Sequence, residues 1–457
     1  MENERININT DRLQKLSDEI KTNNSFDENY YKKFDIKRGL RNADGTGVLA
    51  GLTRISNVHG YIINEYERVP HEGQLYYRGI NINDIIAGCV AEERFGFEET
   101  AWLLLFGSLP TKDELEYFTQ TIETYRDLPK DFVEDMIMKA ASPNIMNKLA
   151  RGVLALYSYE ENTEDNSVEN LINQSISLTA RLPSIMVAAY QVKRRVYDGD
   201  SIFLHQPLPG LSFAENILSM LRFDRQYTKE EALLLDKCLI LHAEHGGGNN
   251  STFACRVLSS SGTDTFSAIA AGIGSLKGPR HGGANIKVVE MLDCIKKGVK
   301  NYSDDEEIKE FLAKLVKKEV GDRSGLIYGM GHAVYTLSDP RTTILKENAS
   351  KLIIEKGFED DFKLLDAVER LAPEVLISMK GDRKAVCANV DLYSGLVYRM
   401  LGIPEELYTP LFAVARMAGW CAHRIEEVTS CKKIIRPAYR PILEGVVYTP
   451  ISDRKED

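Results

Sequence analysis

The sequence predicts a mostly α-helical fold, and three observations carry that expectation. Apolar residues recur at three- and four-residue intervals over much of the 457-residue chain, N-cap signals precede the clearest of these runs, and no series of evenly spaced strand patterns breaks them up. Hydrophobic residues make up 43% of the chain, enough for a large core, and at roughly 100–200 residues per domain the length allows two to four domains.

Residues 1 to 48 are polar and rich in Asn, Asp and Lys, and they read as an extension with short helices. From Gly47 to about Ile82, glycines and a proline alternate with β-prone runs such as Tyr61-Ile62-Ile63 and Leu75-Tyr76-Tyr77, which predicts a small sheet or loop region. Thr111 then caps a helix with Glu114 three residues on, and Leu115, Phe118, Ile122 and Tyr125 follow at helical spacing. Ser303 with Glu306 makes a second such start, ahead of Ile308, Phe311, Leu312, Leu315 and Val316. Each of these helices must bury one face. Similar stretches run to about Ile425, separated by short loops holding Gly and Pro. No internal repeat or low-complexity tether occurs, so domain boundaries must fall in short hinges.

The 67 acidic and 57 basic side chains leave a formal charge of −10, which removes the usual electrostatic footprint for nucleic acid or anionic lipid. No apolar stretch approaches the roughly 18 to 20 residues that cross a bilayer. The start, Met1-Glu2-Asn3-Glu4-Arg5, lacks the basic end and apolar middle of a signal peptide, so the expected location is the cytoplasm. Seven cysteines are spread singly without zinc spacing, as expected of reduced thiols that act as small core residues.

Eight histidines occur, and three of them sit beside glycines: His245 before Gly246-Gly247-Gly248, His281 before Gly282-Gly283, and His332 after Gly329-Met330-Gly331. Glycine permits backbone paths and close approaches that other residues forbid, so such a His can stand where substrate and main chain meet. The plain alternative is that these glycines end helices. His242 and His245, three apart, could share a side of a helix and suggest a metal pair, but no His-Glu-x-x-His accompanies them. Gly-x-Ser-x-Gly, a Walker loop and Gly-x-Gly-x-x-Gly after a strand are also missing, which weakens a Ser hydrolase, a nucleotide triphosphatase or a Rossmann dehydrogenase.

Asn389-Val390-Asp391-Leu392-Tyr393-Ser394-Gly395 places an acid in a weakly charged stretch. Asp391 is either a base of raised pKa or the cap of a helix beginning at Ser394. Arg341, Arg416 and Arg436 lie next to prolines or in apolar runs. An arginine there needs an anionic partner, either an Asp of the protein or a carboxylate ligand.

Together these segments resemble the citrate synthase family, from about Gly47 to Pro437. The motifs that carry the resemblance are Gly278-Pro279-Arg280-His281-Gly282-Gly283-Ala284-Asn285, Gly329-Met330-Gly331-His332-Ala333-Val334 and Asn389-Val390-Asp391 through Gly395. Their order and the intervals of 51 residues from His281 to His332 and 59 from His332 to Asp391 also look like the family's. Leu75-Tyr76-Tyr77-Arg78-Gly79-Ile80 and the run from Phe97 to Gly107 add weaker likeness.

The resemblance implies an all-α homodimer with a large helical domain, residues 49–284 and 389–457, and a smaller one, residues 285–388, that closes over the active site. Residues 1–48 are then a polar extension outside both. It implies condensation of acetyl-CoA with oxaloacetate and water to citrate and CoA, with no cofactor or metal, the coenzyme A thioester being a substrate. Asp391 is then the base that takes a proton from the acetyl methyl, His281 the hydrogen-bond donor to the thioester oxygen, and His332 the group that polarises the ketone of oxaloacetate. His245, Arg341, Arg416 and Arg436 are its further contacts, Arg436 from the partner subunit. Leu326, Ile327, Gly329 and Lys384 are the implied coenzyme A contacts. The chain departs from the family's pattern at Arg280, which could meet the coenzyme or an acid, and at Leu392, which stands where Phe is usual. Rival readings are a 2-methylcitrate synthase using propionyl-CoA, a non-catalytic acyl-CoA or dicarboxylate binding protein on the same fold, and, more distantly, a metal hydrolase.

Overall fold

The computed structural model describes residues 10–42, 44–64, 67–380, 386–443, 445 and 447–454. Its contacts divide the chain into two compact units, Met1–Leu52 with Ile63–Val69, and Thr53–Ile62 with Pro70–Asp457. In the first, α1 (Thr10–Asn23) and α2 (Asn29–Lys33) are short and rest on local pairs such as Lys21 with Asp18 at 2.9 Å, while Leu13, Leu16 and Ile20 remain exposed.

Three strands, β1 (Ser56–Asn64), β2 (Glu67–Tyr77) and β3 (Ile80–Asn81), form one sheet in the order β1-β2-β3. β2 and β3 pair antiparallel, with Tyr77 opposite Ile80. The rest is helical, as the periodicity requires. α3 (Ile82–Ala91), α4 (Phe97–Phe106), α5 (Lys112–Tyr125), α6 (Ile145–Leu156), α7 (Val168–Lys193), α8 (Phe213–Leu221) and α9 (Lys229–His242) come first. They are followed by α10 (Asn250–Ser259), α11 (Thr265–Leu276), α12 (Ala284–Gly298), α13 (Asp305–Val316), α14 (Pro340–Lys356), α15 (Glu359–Lys380), α16 (Asp391–Met400) and α17 (Tyr408–Ser430).

The start of α5 has the expected capping box, with Thr111 Oγ1 accepting from the Glu114 N–H and the Glu114 carboxylate accepting from the Thr111 N–H at 2.7 Å. The second expected cap is displaced by one residue. Asp304, not Ser303, caps α13, accepting from the N–H groups of Glu306 and Glu307 at 3.0 and 3.2 Å, and Glu307 rather than Glu306 reaches back to the N–H groups of Lys300 and Asn301. A carboxylate is the stronger acceptor at the positive end of a helix, and Ser303 instead gives its N–H to Asn301.

α17 is the axis of the core. Every residue from Tyr408 to Arg424 is buried, and the helix packs on α4, α7, α9, α10 and α11. A helix apolar on all sides can only sit inside a protein, so the charged members of this one, Arg416 and Arg424, must be accounted for by their neighbours. Among the described residues no helix is long and apolar enough to cross a membrane.

Candidate active site

The site begins where two loops are stitched together. Gly331 N–H donates to Cys387 O at 2.8 Å, Asn389 N–H donates to Gly329 O at 2.9 Å, and Met330 and Ala388 form an antiparallel bridge. The Asn389 side chain adds a bond from Nδ2 to Gly331 O at 2.9 Å and accepts the Asp391 N–H on Oδ1 at 3.0 Å. Two glycines make the stitching possible: Gly329 and Gly331 have φ of 80° and 98°, and a Cβ on Gly329 would lie 2.9 Å from Leu392 Cα. Leu392 fills that contact fully buried, so its side chain serves packing. Asp391 is the first residue of α16 and not the cap of a helix starting at Ser394.

His332 is held by its own turn. The N–H groups of Val334 and Tyr335 donate to His332 Nδ1 at 3.0 and 3.1 Å, so in the neutral ring the proton resides on Nε2. Tyr335 stacks on that ring with centroids 4.6 Å apart, and its hydroxyl meets His245 Nε2 at 3.3 Å. His245 stands edge-on to His332 at 5.0 Å. Burial first, and then the charges of Arg341 and Arg416, hold His245 well below the usual imidazole range. It is neutral.

His281 lies in the turn between α11 and α12, and its Nε2 is 3.1 Å from Ser251 Oγ. That hydroxyl has one proton and two takers, Asn249 Oδ1 at 2.8 Å and His281, while Trp420 Nε1 donates to it at 3.2 Å. His281 carries its proton on Nδ1 when Ser251 turns its own toward Nε2. Burial, reinforced by Arg416, pushes the His281 pKa down to about 4, so this side chain too is a neutral donor at pH 7.

Arg341 and Arg416, both buried, differ. Arg341, at the second position of α14, is clamped by Asp339, with Nε to Oδ1 at 3.0 Å and Nη2 to Oδ2 at 2.7 Å, so the partner expected for it is at least partly an acid of the protein. Arg416, fully buried in α17, donates from Nε to His242 O at 2.7 Å and lies over the Phe412 ring, but neither Nη1 nor Nη2 has a hydrogen-bond partner among the described residues. Burial pushes its pKa down to about 10, so the cation persists at pH 7 without an acceptor for its fork. Such a group is costly unless an anion meets it. Asp391 faces the same region: burial raises its pKa to about 6, against the opposing pull of Arg341 and Arg416. Among the described residues no hydrogen bond to its carboxylate is formed.

Neutral histidines at 245 and 281, a carboxyl poised near neutrality and a buried guanidinium fork without an acceptor among the described residues make an arrangement suited to proton abstraction beside an anionic substrate. Residues 42–438 match the family profile described as citrate synthase, C-terminal domain. A citrate synthase of Synechocystis is 34% identical over 420 residues, covering 92% of this chain and 94% of that protein. The chain belongs to the citrate synthase family. Within this family of transferase-type enzymes it is also 31% identical to a 2-methylcitrate synthase of Corynebacterium glutamicum, over 92% of this chain and 98% of that one. The structure of the citrate synthase of Thermoplasma acidophilum, a ternary complex with carboxymethyl coenzyme A and oxaloacetate, superposes with a TM-score of 0.74 at 26% identity, covering 92% of this chain and 99% of that one.

Relative to the citrate synthase motifs, the structure brings the buried His245, Arg341 and Arg416 and the half-buried His332 and Asp391 into one neighbourhood, with His281 also within the field of Arg416. Arg436 does not join it: the residue is exposed in the extended segment after α17. Leu326 is half exposed and Ile327 buried, and Leu326 and Tyr328 line a cavity of 250 Å³ with Lys287, Met291, Cys294 and Asp322. Lys384 lies outside the described residues. Arg280 is exposed. The pair His242 and His245 separates, since His242 packs on Phe412 at 4.5 Å with both ring nitrogens unpartnered among the described residues. No three metal-ligating side chains are grouped among the described residues.

Sequence reasoning missed Tyr335, Asp339 and Glu244. Asp339 had a legible signal, an Asp directly before a Pro that opens a helix. Tyr335 and Glu244 had none, because their contacts come from β2 and α17, far away in the chain.

Proposed function

We propose that the protein condenses acetyl-CoA with oxaloacetate and water to citrate and CoA. The observation that carries this reading is the fork of Arg416, buried and without an acceptor among the described residues, beside a carboxyl of raised pKa. Asp391 takes a proton from the acetyl methyl, and the developing enolate oxygen accepts a hydrogen bond from His281. The enol carbon attacks the ketone of oxaloacetate, whose oxygen accepts from His332 Nε2–H. Arg416, the remaining N–H donors of Arg341 and His245 hold the dicarboxylate so that one face is offered. Water then cleaves the citryl thioester. No resident cofactor enters, since the coenzyme is the thioester's own leaving group.

The cavity beside Leu326 and Tyr328 suits the coenzyme's adenine, with an apolar floor from Met291 and Leu315 and polar groups from Lys287 and Asp322. Residues 285–388 act as a small domain that closes over the large one, residues 49–284 and 389–457, and closure keeps the thioester from water until oxaloacetate is bound. The exposed segment after α17, with Ile434, Tyr439, Leu443 and Val447 in solvent, reaches a second copy and delivers Arg436 to its site in a homodimer. All seven cysteines are unpaired, as a cytoplasmic protein requires.

The likeness to a 2-methylcitrate synthase supports a second reading, with propionyl-CoA as the acyl donor, because one methylene changes discrimination by only about 1–3 kcal/mol. A thiol-release assay with oxaloacetate and either thioester, run on wild type and Asp391→Ala, tests both. CoA release mainly from acetyl-CoA that vanishes in the variant is the expected result. Preference for propionyl-CoA moves the protein to the second reading, and release from neither overturns the condensation.

A further inference from the structure

Glu244 is a fully buried carboxylate next to His245 that the chemistry above does not use. Its Oε1 accepts three hydrogen bonds: from Ser56 Oγ at 2.8 Å, from Gly246 N–H at 2.5 Å and from His423 Nε2 at 2.9 Å. Arg256 Nη1 occupies the other His423 nitrogen, Nδ1, at 2.7 Å, which fixes the proton of the neutral imidazole on Nε2, facing Glu244. Arg256 is itself secured by Glu426 and Glu427 at 2.8 and 2.9 Å. Glu244 is therefore ionised, and its hydrogen bonds are all on one oxygen.

The second oxygen, Oε2, is buried without a hydrogen-bond partner among the described residues and is directed at α17, where a Cβ on Gly419 would come within 2.4 Å of it. Arg416 and His423 stand seven residues apart on α17 and so share a face. His423 holds Glu244, while Arg416 is tied by Nε to the carbonyl of His242, two residues before Glu244. The carboxylate is thus packed against the stretch of α17 that carries the unfilled fork, yet it forms no hydrogen bond with that fork. Glu244 supplies the largest favourable charge interaction of Arg416.

We propose that Glu244 is a positioning residue that serves as the resident counter-charge of Arg416, held just out of hydrogen-bond reach by His423, Ser56 and Gly246 so that the fork stays ionised, oriented and open to a substrate carboxylate. This deepens, and rests on, the reading of the site as one for oxaloacetate. A direct Glu244–Arg416 bond would occupy the donors that the substrate needs, and a site without Glu244 would hold Arg416 and Arg341 with less compensation until substrate arrived. The counter-charge therefore stabilises the empty site and weakens the pull on an incoming anion. It trades substrate affinity for an ordered free enzyme.

Glu244→Gln keeps an acceptor oxygen for the same three donors and nearly the same volume while removing the charge and turning the unpartnered oxygen into an amide NH2, which separates this role from packing. A residue of purely structural importance weakens or leaves unchanged the binding of substrate when it is replaced, whereas loss of a competing anion tightens it. The experiment measures oxaloacetate binding by calorimetry, thermal unfolding and CoA release for wild type, Glu244→Gln and the double variant Glu244→Gln/Arg416→Met. Glu244→Gln is expected to unfold at a lower temperature without ligand and to bind oxaloacetate about tenfold more tightly, the effect of one partly screened charge several ångströms away. Its kcat is expected to fall as the carboxylate product leaves more slowly. Unchanged or weaker binding in folded Glu244→Gln overturns the role. Should Glu244→Gln not fold, the double variant, which lacks both charges, is expected to regain a cooperative transition, and its failure to do so overturns the coupling. Wild type that binds no oxaloacetate and releases no CoA overturns the functional reading and this inference with it, whereas active wild type with the wrong response in the variants overturns this inference alone.

Discussion

The side-chain amide of Asn389 donates to the carbonyl of Gly331 at 2.9 Å, so the residue two before Asp391 is tied to the residue one before His332. Its carbonyl oxygen simultaneously accepts the Asp391 N–H. One amide thereby sets the spacing between the segment with Asp391, the proposed base, and the segment with His332, the proposed ketone-polarising group, although 58 residues separate its two ends. Asn389→Ala removes both bonds. It is expected to cost about 1–3 kcal/mol of stability and roughly 10–100-fold in kcat, because misplacement by about 1 Å is enough for a loss of that order. Denaturant unfolding and single-turnover CoA release check the two effects.

The raised pKa of Asp391 has a definite pH signature. In the proposed role Asp391 works as the carboxylate, and burial lifts its pKa to about 6, so kcat/KM for the thioester should be level above that value and fall as pH drops through it, tenfold per unit well below. Asp391→Asn should lose about 10²–10⁴-fold in kcat and abolish this limb of the profile. A limb that persists in the variant assigns the titration to another group.

If Arg416 binds oxaloacetate as proposed, the protein's stability responds to that ligand. A ligand that fills a buried, unpartnered fork binds only the folded state, so oxaloacetate at about 100 times its Kd should add about 2.7 kcal/mol to unfolding. The matching rise in Tm, read by calorimetry, should disappear in Arg416→Met. Succinate, which keeps the carboxylates but lacks the ketone, should give a smaller rise.

Two buried carboxylates outside the site impose a separate pH dependence. Asp236 accepts the N–H groups of Gly96 and Phe97 at the start of α4, at 2.7 and 3.2 Å, and Glu98 accepts the N–H of Phe213 at the start of α8 at 2.7 Å. Burial, with Glu98 adding repulsion, lifts the Asp236 pKa to about 8. The folded state then binds a proton that the unfolded chain has released, so this contribution is complete below the ordinary Asp value of 3.8 and is lost as pH rises toward about 8. Urea unfolding at pH 5 and pH 8.5 should show lower stability at the higher pH, and Asp236→Asn should narrow the difference.

The helical architecture was legible because burial of one face imposes its period on the sequence, as at Phe118 and Ile122 of α5 and Ile308 and Leu312 of α13. The Thr111 cap was equally legible, being a contact across three residues. The cap of α13 was misread by one position because Ser303 and Asp304 are both good caps, and which one turns inward depends on the loop that Asn301 organises. At the site, the glycines beside His332 pointed to a place of close backbone approach, and Gly329 against Leu392 is such a place. The two arginines, by contrast, looked alike in sequence. Only the packing distinguishes Arg341, filled by Asp339, from Arg416, unfilled beside Glu244.

By itself the sequence determined the helical class, the small sheet before it, and the residues His281, His332 and Asp391 as the places to look for chemistry, since periodicity, turn glycines and motif order are properties of neighbouring residues. Tertiary structure alone decided what those residues can do. The Nε2 tautomer of His332 depends on the path of the turn through Val334 and Tyr335, and the raised pKa of Asp391 depends on water being excluded by elements far away in the chain. The open fork of Arg416 depends on a carboxylate held back by His423, 179 residues from it. Proton affinity and hydrogen-bond occupancy are set by desolvation and by the nearest charges in space, and neither quantity is local to the chain.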